Sequence, residues 1–164
     1  MNASSSDEPQ LDFQAFVDGY ITCMLWSSHD ESDEAGGAPM DLNYTEDDIP
    51  SEDRQAIEAD CRAFTQANAA LLEQAVDRVG YDSAQAGHDF WLTREGHGAG
   101  YWDRPMLKAE GLGEALTQAS KMFGEHPEGG PWVEDGRVRY GRAKVIPPTA
   151  PAPTEEPRAR PRLR

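Results

Sequence analysis

The sequence predicts an α+β fold, with two or three helices packed on a small antiparallel sheet built from two hairpins. Three observations predict it. Apolar residues recur at helical spacing in three separate stretches, an Asp-Gly pair divides the short alternating run PWVEDGRVRY, and DFWLTR and YWDR flank the glycine-rich GHGAG. The organisation expected is a disordered lead over residues 1–10, one α+β domain over 11–146 that includes an acidic loop at 29–50, and a disordered Pro/Arg-rich tail over 147–164.

In LDFQAFVDGYITCMLWSS, the residues Phe13, Phe16, Val17, Tyr20 and Met24 share one helical face, with Leu25 alongside and Asp12 as cap or first-turn acid. Gly19 weakens this first helix locally. The following HDESDEAGGAPMDLNYTEDD has no apolar period and reads as a charged loop, with Thr45 and Asp48 spaced as a capping pattern. A second helix over about 51 to 78 carries Ile57, Cys61, Phe64, Leu71, Leu72, Ala75 and Val79 on its stripe, and Gly80 suits its stop. Leu112, Ala115, Leu116, Ala119, Met122 and Phe123 mark a third helix that ends at Gly124. The Asp-Gly pair at 135–136 then turns a hairpin over 131–141. Cys23 and Cys61 fall inside helical patterns without CxxC spacing and read as small buried hydrophobes.

Net charge is −15, and all of it is N-terminal. Residues 1–60 hold 16 Asp and Glu against one basic residue, Arg54, whereas residues 61–164 hold 14 of each sign. Such a half repels nucleic acid and anionic membranes, so neither is an expected direct partner, and it attracts a basic protein surface or a cation. No apolar run approaches the roughly 20 residues needed to cross a bilayer, and MNASSSDEPQ has neither the basic nor the apolar region of a secretory signal. The expected location is therefore cytoplasmic.

The densest chemistry lies in GHDFWLTREGHGAGYWDR, residues 87–104, read as an aromatic hairpin. A four-residue loop pairs Trp91 with Trp102 and Asp89 with Arg104; a five-residue loop sets Asp89 opposite Asp103, which repel unless a cation bridges them. In that second register His88, Asp89, His97 and Asp103 offer imidazole and carboxylate ligands to a divalent metal. Neighbours His88 and Asp89 would, however, point to opposite faces of a strand. No GxSxG elbow, Walker A loop, GxGxxG or HExxH is present, which argues against serine hydrolysis, nucleotide phosphate binding and zincin chemistry. Asp30, Ser32 and Glu34 loosely match a calcium loop, but Ala35 stands where glycine is required. His29 and His126 sit in polar loops and suggest no role.

HDFWLTREGHGAGYWDR resembles a segment of small acidic proteins encoded by bacteriophages and prophages, and the resemblance runs from Tyr20 to about Tyr140 through LWSSHDESDE, PMDLNYTEDDI and DCRAFTQANAALL. The chain departs from that pattern at Glu95-Gly96, where Asn-Gly is common, and at Tyr101-Trp102, where Phe-Trp is common. The resemblance implies a host-cytosol setting and no defined activity. Together with the charge it leads to a binding protein that acts by contact with a basic host surface, as a nucleic-acid mimic, without a cofactor. Its expected contact residues are Asp30, Glu31, Asp33, Glu34, Trp91, His97 and Trp102. The alternative is a metal-dependent phosphoester hydrolase centred on His88, Asp89, His97 and Asp103.

Overall fold

Asp12 accepts the Ala15 N–H at 3.1 Å and so caps the first helix, α1 (Phe13–Ser27). This computed structural model describes residues 10–32 and 37–143. Further along the chain come α2 (Ser51–Ala67), α3 (Ala69–Val76), α4 (Ser83–Arg94) and α5 (Leu112–Phe123). Two short antiparallel ribbons accompany them, β1 (His29–Asp30) with β2 (Ala38–Pro39), and β3 (Trp132–Glu134) with β4 (Arg137–Arg139). The fold is thus α+β, with five helices among the described residues instead of two or three. They pack mainly on one another, not on a sheet. No helix of the described residues is long and apolar enough to cross a membrane.

Several local signals act as the residue types dictate. Thr45 and Asp48 form a reciprocal capping box on a single 3₁₀ turn, Glu46–Asp48. Asp135 and Gly136 both adopt positive φ, 55° and 75°, which is the geometry of the tight primed turn that joins β3 to β4. α5 ends at Gly124 with φ 87°. Cys23 and Cys61 are buried free thiols.

Three expectations about the elements are corrected. The long second helix is broken at Asn68, whose side-chain amide and backbone N–H both donate to the Phe64 carbonyl at 3.0 Å; the side chain competes for a helical acceptor and the chain restarts as α3. Val79 and Met122, placed on apolar stripes, are exposed. The larger correction is the segment read as an aromatic hairpin. Residues 83–94 are helical, Tyr101–Asp103 is a 3₁₀ turn, and no strand forms in either arm. Asp82 caps this helix by accepting the Gln85 N–H at 2.8 Å.

α1 and α4 run parallel, as the Asp12 N–H bonded to Ser83 Oγ at one end and Trp91 Nε1 bonded to Ser27 Oγ at the other require. Their contact is the most extensive between elements. Backbones touch because Gly19 faces the Ala84 carbonyl and Gly87 faces the Phe16 carbonyl, each too close for any side chain. Around this pair Phe16, Tyr20, Phe64, Phe90, Trp91 and Tyr101 form an aromatic core in which the Phe64 and Phe90 rings stack with centroids 3.9 Å apart.

A methyl at either glycine meets backbone, which cannot rotate away, so Gly19→Ala and Gly87→Ala should each lower the urea unfolding free energy by about 1–3 kcal/mol or more. Gly98→Ala, with nothing near its added Cβ, should stay within about 0.5 kcal/mol of the parent. Equal midpoints for all three would refute the close helix contact.

Candidate functional site

The 87–104 segment still supplies chemistry, although as helix and loop. Asp89, fully buried on α4, receives Arg104 Nε and Nη2 in a forked ion pair with its shortest contact at 2.6 Å, and also Tyr81 Oη at 2.7 Å and Gln85 Nε2 at 3.1 Å. The expected Asp89–Arg104 pair therefore forms, through a helix and a loop instead of across strands. Burial would raise the Asp89 carboxyl, but hydrogen bonds from His88, Arg104 and Tyr81 outweigh it and hold the group below the ordinary carboxylate range. The expected Trp91–Trp102 stack does not form. Trp91 is 2% exposed and packs edge-on against Tyr20, whereas Trp102 is 42% exposed.

His88, Asp89, His97 and Asp103 are not brought to one centre. His88 stacks on Trp26, its Nδ1 is 3.8 Å from the Asp89 carboxylate, and both Asp89 oxygens are occupied by Arg104 and its neighbours; His97 and Asp103 are exposed outside the helix. Among the described residues no group of three or more His, Cys, Asp or Glu side chains converges in a way that could hold a metal ion. Of the proposed contact residues, Asp30 is partly committed, since its carboxylate accepts Ser32 N–H at 2.9 Å and Ser32 Oγ at 2.6 Å, whereas Glu31 is exposed. Asp33 and Glu34 lie outside the described residues, as do most of the expected lead and the whole of the expected tail.

A second charged constellation, absent from the sequence reading, organises the interior. Arg94 closes α4 with its side chain fully buried. Its Nη1 donates to Tyr20 Oη at 2.9 Å, to Asp60 Oδ2 at 3.1 Å and to Tyr140 Oη at 3.3 Å, and its Nε donates to the Gly124 carbonyl at 3.0 Å. Tyr140 Oη donates to Asp60 Oδ2 at 2.6 Å. His126 abuts the Tyr140 ring with centroids 4.1 Å apart and is 3% exposed. Its Nδ1 accepts the Glu128 and Gly130 N–H groups, which places the proton of the neutral ring on Nε2. Burial first, and the Arg94 guanidinium second, push this imidazole down to about 4. His126 thus has a structural role that its polar sequence neighbours concealed.

Two concavities open on the surface near these groups. A groove of about 310 Å³ between α1 and the 40–48 segment has Ile21, Leu25 and Tyr44 below Asp18, Asp41 and Glu46. A larger cleft of about 510 Å³ gathers Ser27, Glu31, Trp91, Glu95, His97 and Trp132 from the C-terminal ends of α1 and α4, the loop after α4 and β3. Three expected contact residues, Glu31, Trp91 and His97, meet in it. Glu95, one of the positions where the sequence departs from the segment it resembles, accepts the His126 N–H on its carboxylate at 2.8 Å and lies 3.5 Å from Arg94 Nε. Burial, reinforced by Glu125, raises the Glu95 carboxyl against the opposing pull of the His126 N–H and Arg94. Neither a family model nor a curated protein nor a solved structure matches this chain.

Removing Arg94 takes from buried Asp60 the cation with which it pairs, so Arg94→Met should cost about 3–5 kcal/mol in equilibrium denaturation, and the Asp60→Asn/Arg94→Met double variant should recover part of it. The His126 contribution has a definite sign. Its folded-state value lies below the unfolded one near 6.5, so the unfolded chain takes up the proton first; the stabilisation is complete above that pH and drains as pH falls toward about 4. Glu95, raised by burial, works in the opposite direction, so the informative quantity is the difference between wild type and His126→Gln. Thermal midpoints measured at intervals from pH 7.5 to 4.5 should show that gap narrowing on acidification; a constant gap would contradict the assignment.

Proposed function

We propose that the protein acts by contact, setting the carboxylates of its N-terminal half against a basic partner surface where nucleic-acid phosphates would otherwise lie. The carrying observation is an imbalance of charge at the α1 groove. Arg54, the one basic residue among the first 60, is shared by Asp18 at 3.7 Å, Glu46 at 2.8 Å and Glu58 at 3.3 Å. One cation serves three carboxylates, and Asp41 on the same rim, with Glu31 and Asp47 elsewhere on this half, adds further exposed negative charge. The groove's apolar floor suits the methylene stem of a lysine or arginine whose head meets the rim. The resemblance to phage and prophage acidic proteins supports a host protein as the target.

Charge-steered association is fast at low ionic strength and is screened beyond about 8 Å at physiological salt. An arginine-rich peptide of nucleic-acid-binding type should associate at least about tenfold more slowly when salt is raised from about 50 to 300 mM. The Asp18→Asn/Asp41→Asn/Glu46→Gln variant should lose most of the low-salt rate while keeping its thermal midpoint within the range of surface substitutions. Stopped-flow traces that are insensitive to salt, or unchanged in the variant, would remove this reading.

A further inference from the structure

We propose that the cleft between the C-terminal ends of α1 and α4 and strand β3 binds a small organic cation, an ammonium or guanidinium group on an apolar stem, with the head on the Glu95 carboxylate and the stem along the Trp132 ring. It is independent of the α1 groove. The two concavities share no lining residue.

The size comes first: about 510 Å³ lies inside the range of sites that enclose a small molecule. Charge then selects the class of ligand. No lysine or arginine lines the cleft, and its carboxylates are Glu31, exposed at the rim, and Glu95, whose side chain is nine-tenths buried. Because α1 and α4 run parallel, both bring their C-terminal ends here, through Ser27 and Ser28 from α1 and Glu95 from α4; the partial negative charge of each helix end therefore adds to the carboxylates. The two carboxylates disfavour an anion, and the imidazoles of His29 and His97 complete the polar part of the wall.

The geometry of Glu95 supplies the anchor. Oε2 takes the His126 N–H and faces Arg94, while Oε1 receives no hydrogen bond from the protein. Oε1 is thus the accessible oxygen of an otherwise buried side chain, and a cationic N–H is a strong donor to such a carboxylate. The aromatic wall completes the site. Trp132 is 36% exposed, with its indole N–H turned to Glu134 at 3.2 Å, and Trp91 closes the floor with its own N–H held by Ser27. Both indoles thus have their polar atoms occupied and offer carbon surface, the complement of a methylene stem and of a cation above a ring.

Agmatine, with an ammonium and a guanidinium joined by four carbons, is a suitable probe. Titrated into ¹⁵N-labelled full chain, it should move the indole N–H resonances of Trp132 and Trp91 saturably, while glucose and glutarate at equal concentration should leave them in place. Glu95→Gln keeps the acceptor for His126 N–H and removes the charge, so it should weaken agmatine at least tenfold with the thermal midpoint retained. Trp132→Ala, at a half-exposed position, should weaken it as well and serves as the second variant if Glu95→Gln unfolds. Absence of a saturable shift, equal binding to the substituted proteins, or glucose or glutarate binding as well as agmatine would each overturn the proposal.

Discussion

A guanidinium withdrawn from water must recover its hydration from fixed oxygens, and Arg94 recovers it through Nε and Nη1 from four different parts of the chain, while its buried Nη2 has no hydrogen-bond partner. Tyr20 on α1, Asp60 on α2, the Gly124 carbonyl after α5 and Tyr140 beyond β4 all close on this one group at the end of α4. Each of those elements must be in place before Nε and Nη1 find their acceptors, so the ion pair with Asp60 acts as a registration device for the helices as much as a source of stability. The Gly19 and Gly87 contacts make this geometry accessible, because only bare backbone lets α1 and α4 approach closely enough for Tyr20 to reach Arg94.

The charge division seen along the sequence is partly closed in three dimensions. Acids of the first 60 residues pair with arginines of the remainder: Asp60 with Arg94, and Asp53 and Glu52 with Arg139. Asp53 also accepts the Tyr140 and Gly141 N–H groups, and these bonds hold its carboxyl low in spite of burial. Some of the N-terminal acidity is therefore structural cement. What remains outside, around Asp18, Asp41 and Glu46, is the part available to another molecule.

Local signals in the sequence were legible where a residue acts on its immediate neighbours: Asp12 capping α1, the Thr45 capping box, the Asp135-Gly136 turn and the apolar face of α5. α4 was not legible, for a physical reason. A helix buried on nearly all sides has no polar face, and Asp89, Thr93 and Arg94, which look like solvent residues, are buried with partners far away in sequence. The alternating look of DFWLTR was an accident of that mixture. Asp82 followed by Gln85 three positions on was the available clue to a helix start. Opposite charges find one another in either architecture, which is why the Asp89–Arg104 pair was correctly expected from a wrong strand model. Three residues of the larger cleft, Glu31, Trp91 and His97, stood out as chemistry in the sequence. Glu95 and Trp132 did not, because only the tertiary fold sets the loop after α4 beside β3.

The bonds from Asp53 to Tyr140 and Gly141 span 87 and 88 positions, and the Tyr20–Tyr140 hydroxyl contact spans 120. A ribosome delivers residues in order at a rate of about 5–20 per second, so Arg94 emerges seconds before the tyrosine that helps to enclose it. Throughout that interval the Arg94–Asp60 pair lacks the Tyr140 hydroxyl that bonds to both. Completion waits for the arrival of Tyr140. The order of translation thus places the last hydroxyl partner of this interior charge near the far end of the described residues, and the contact that it makes closes a long loop, the kind of contact that slows folding.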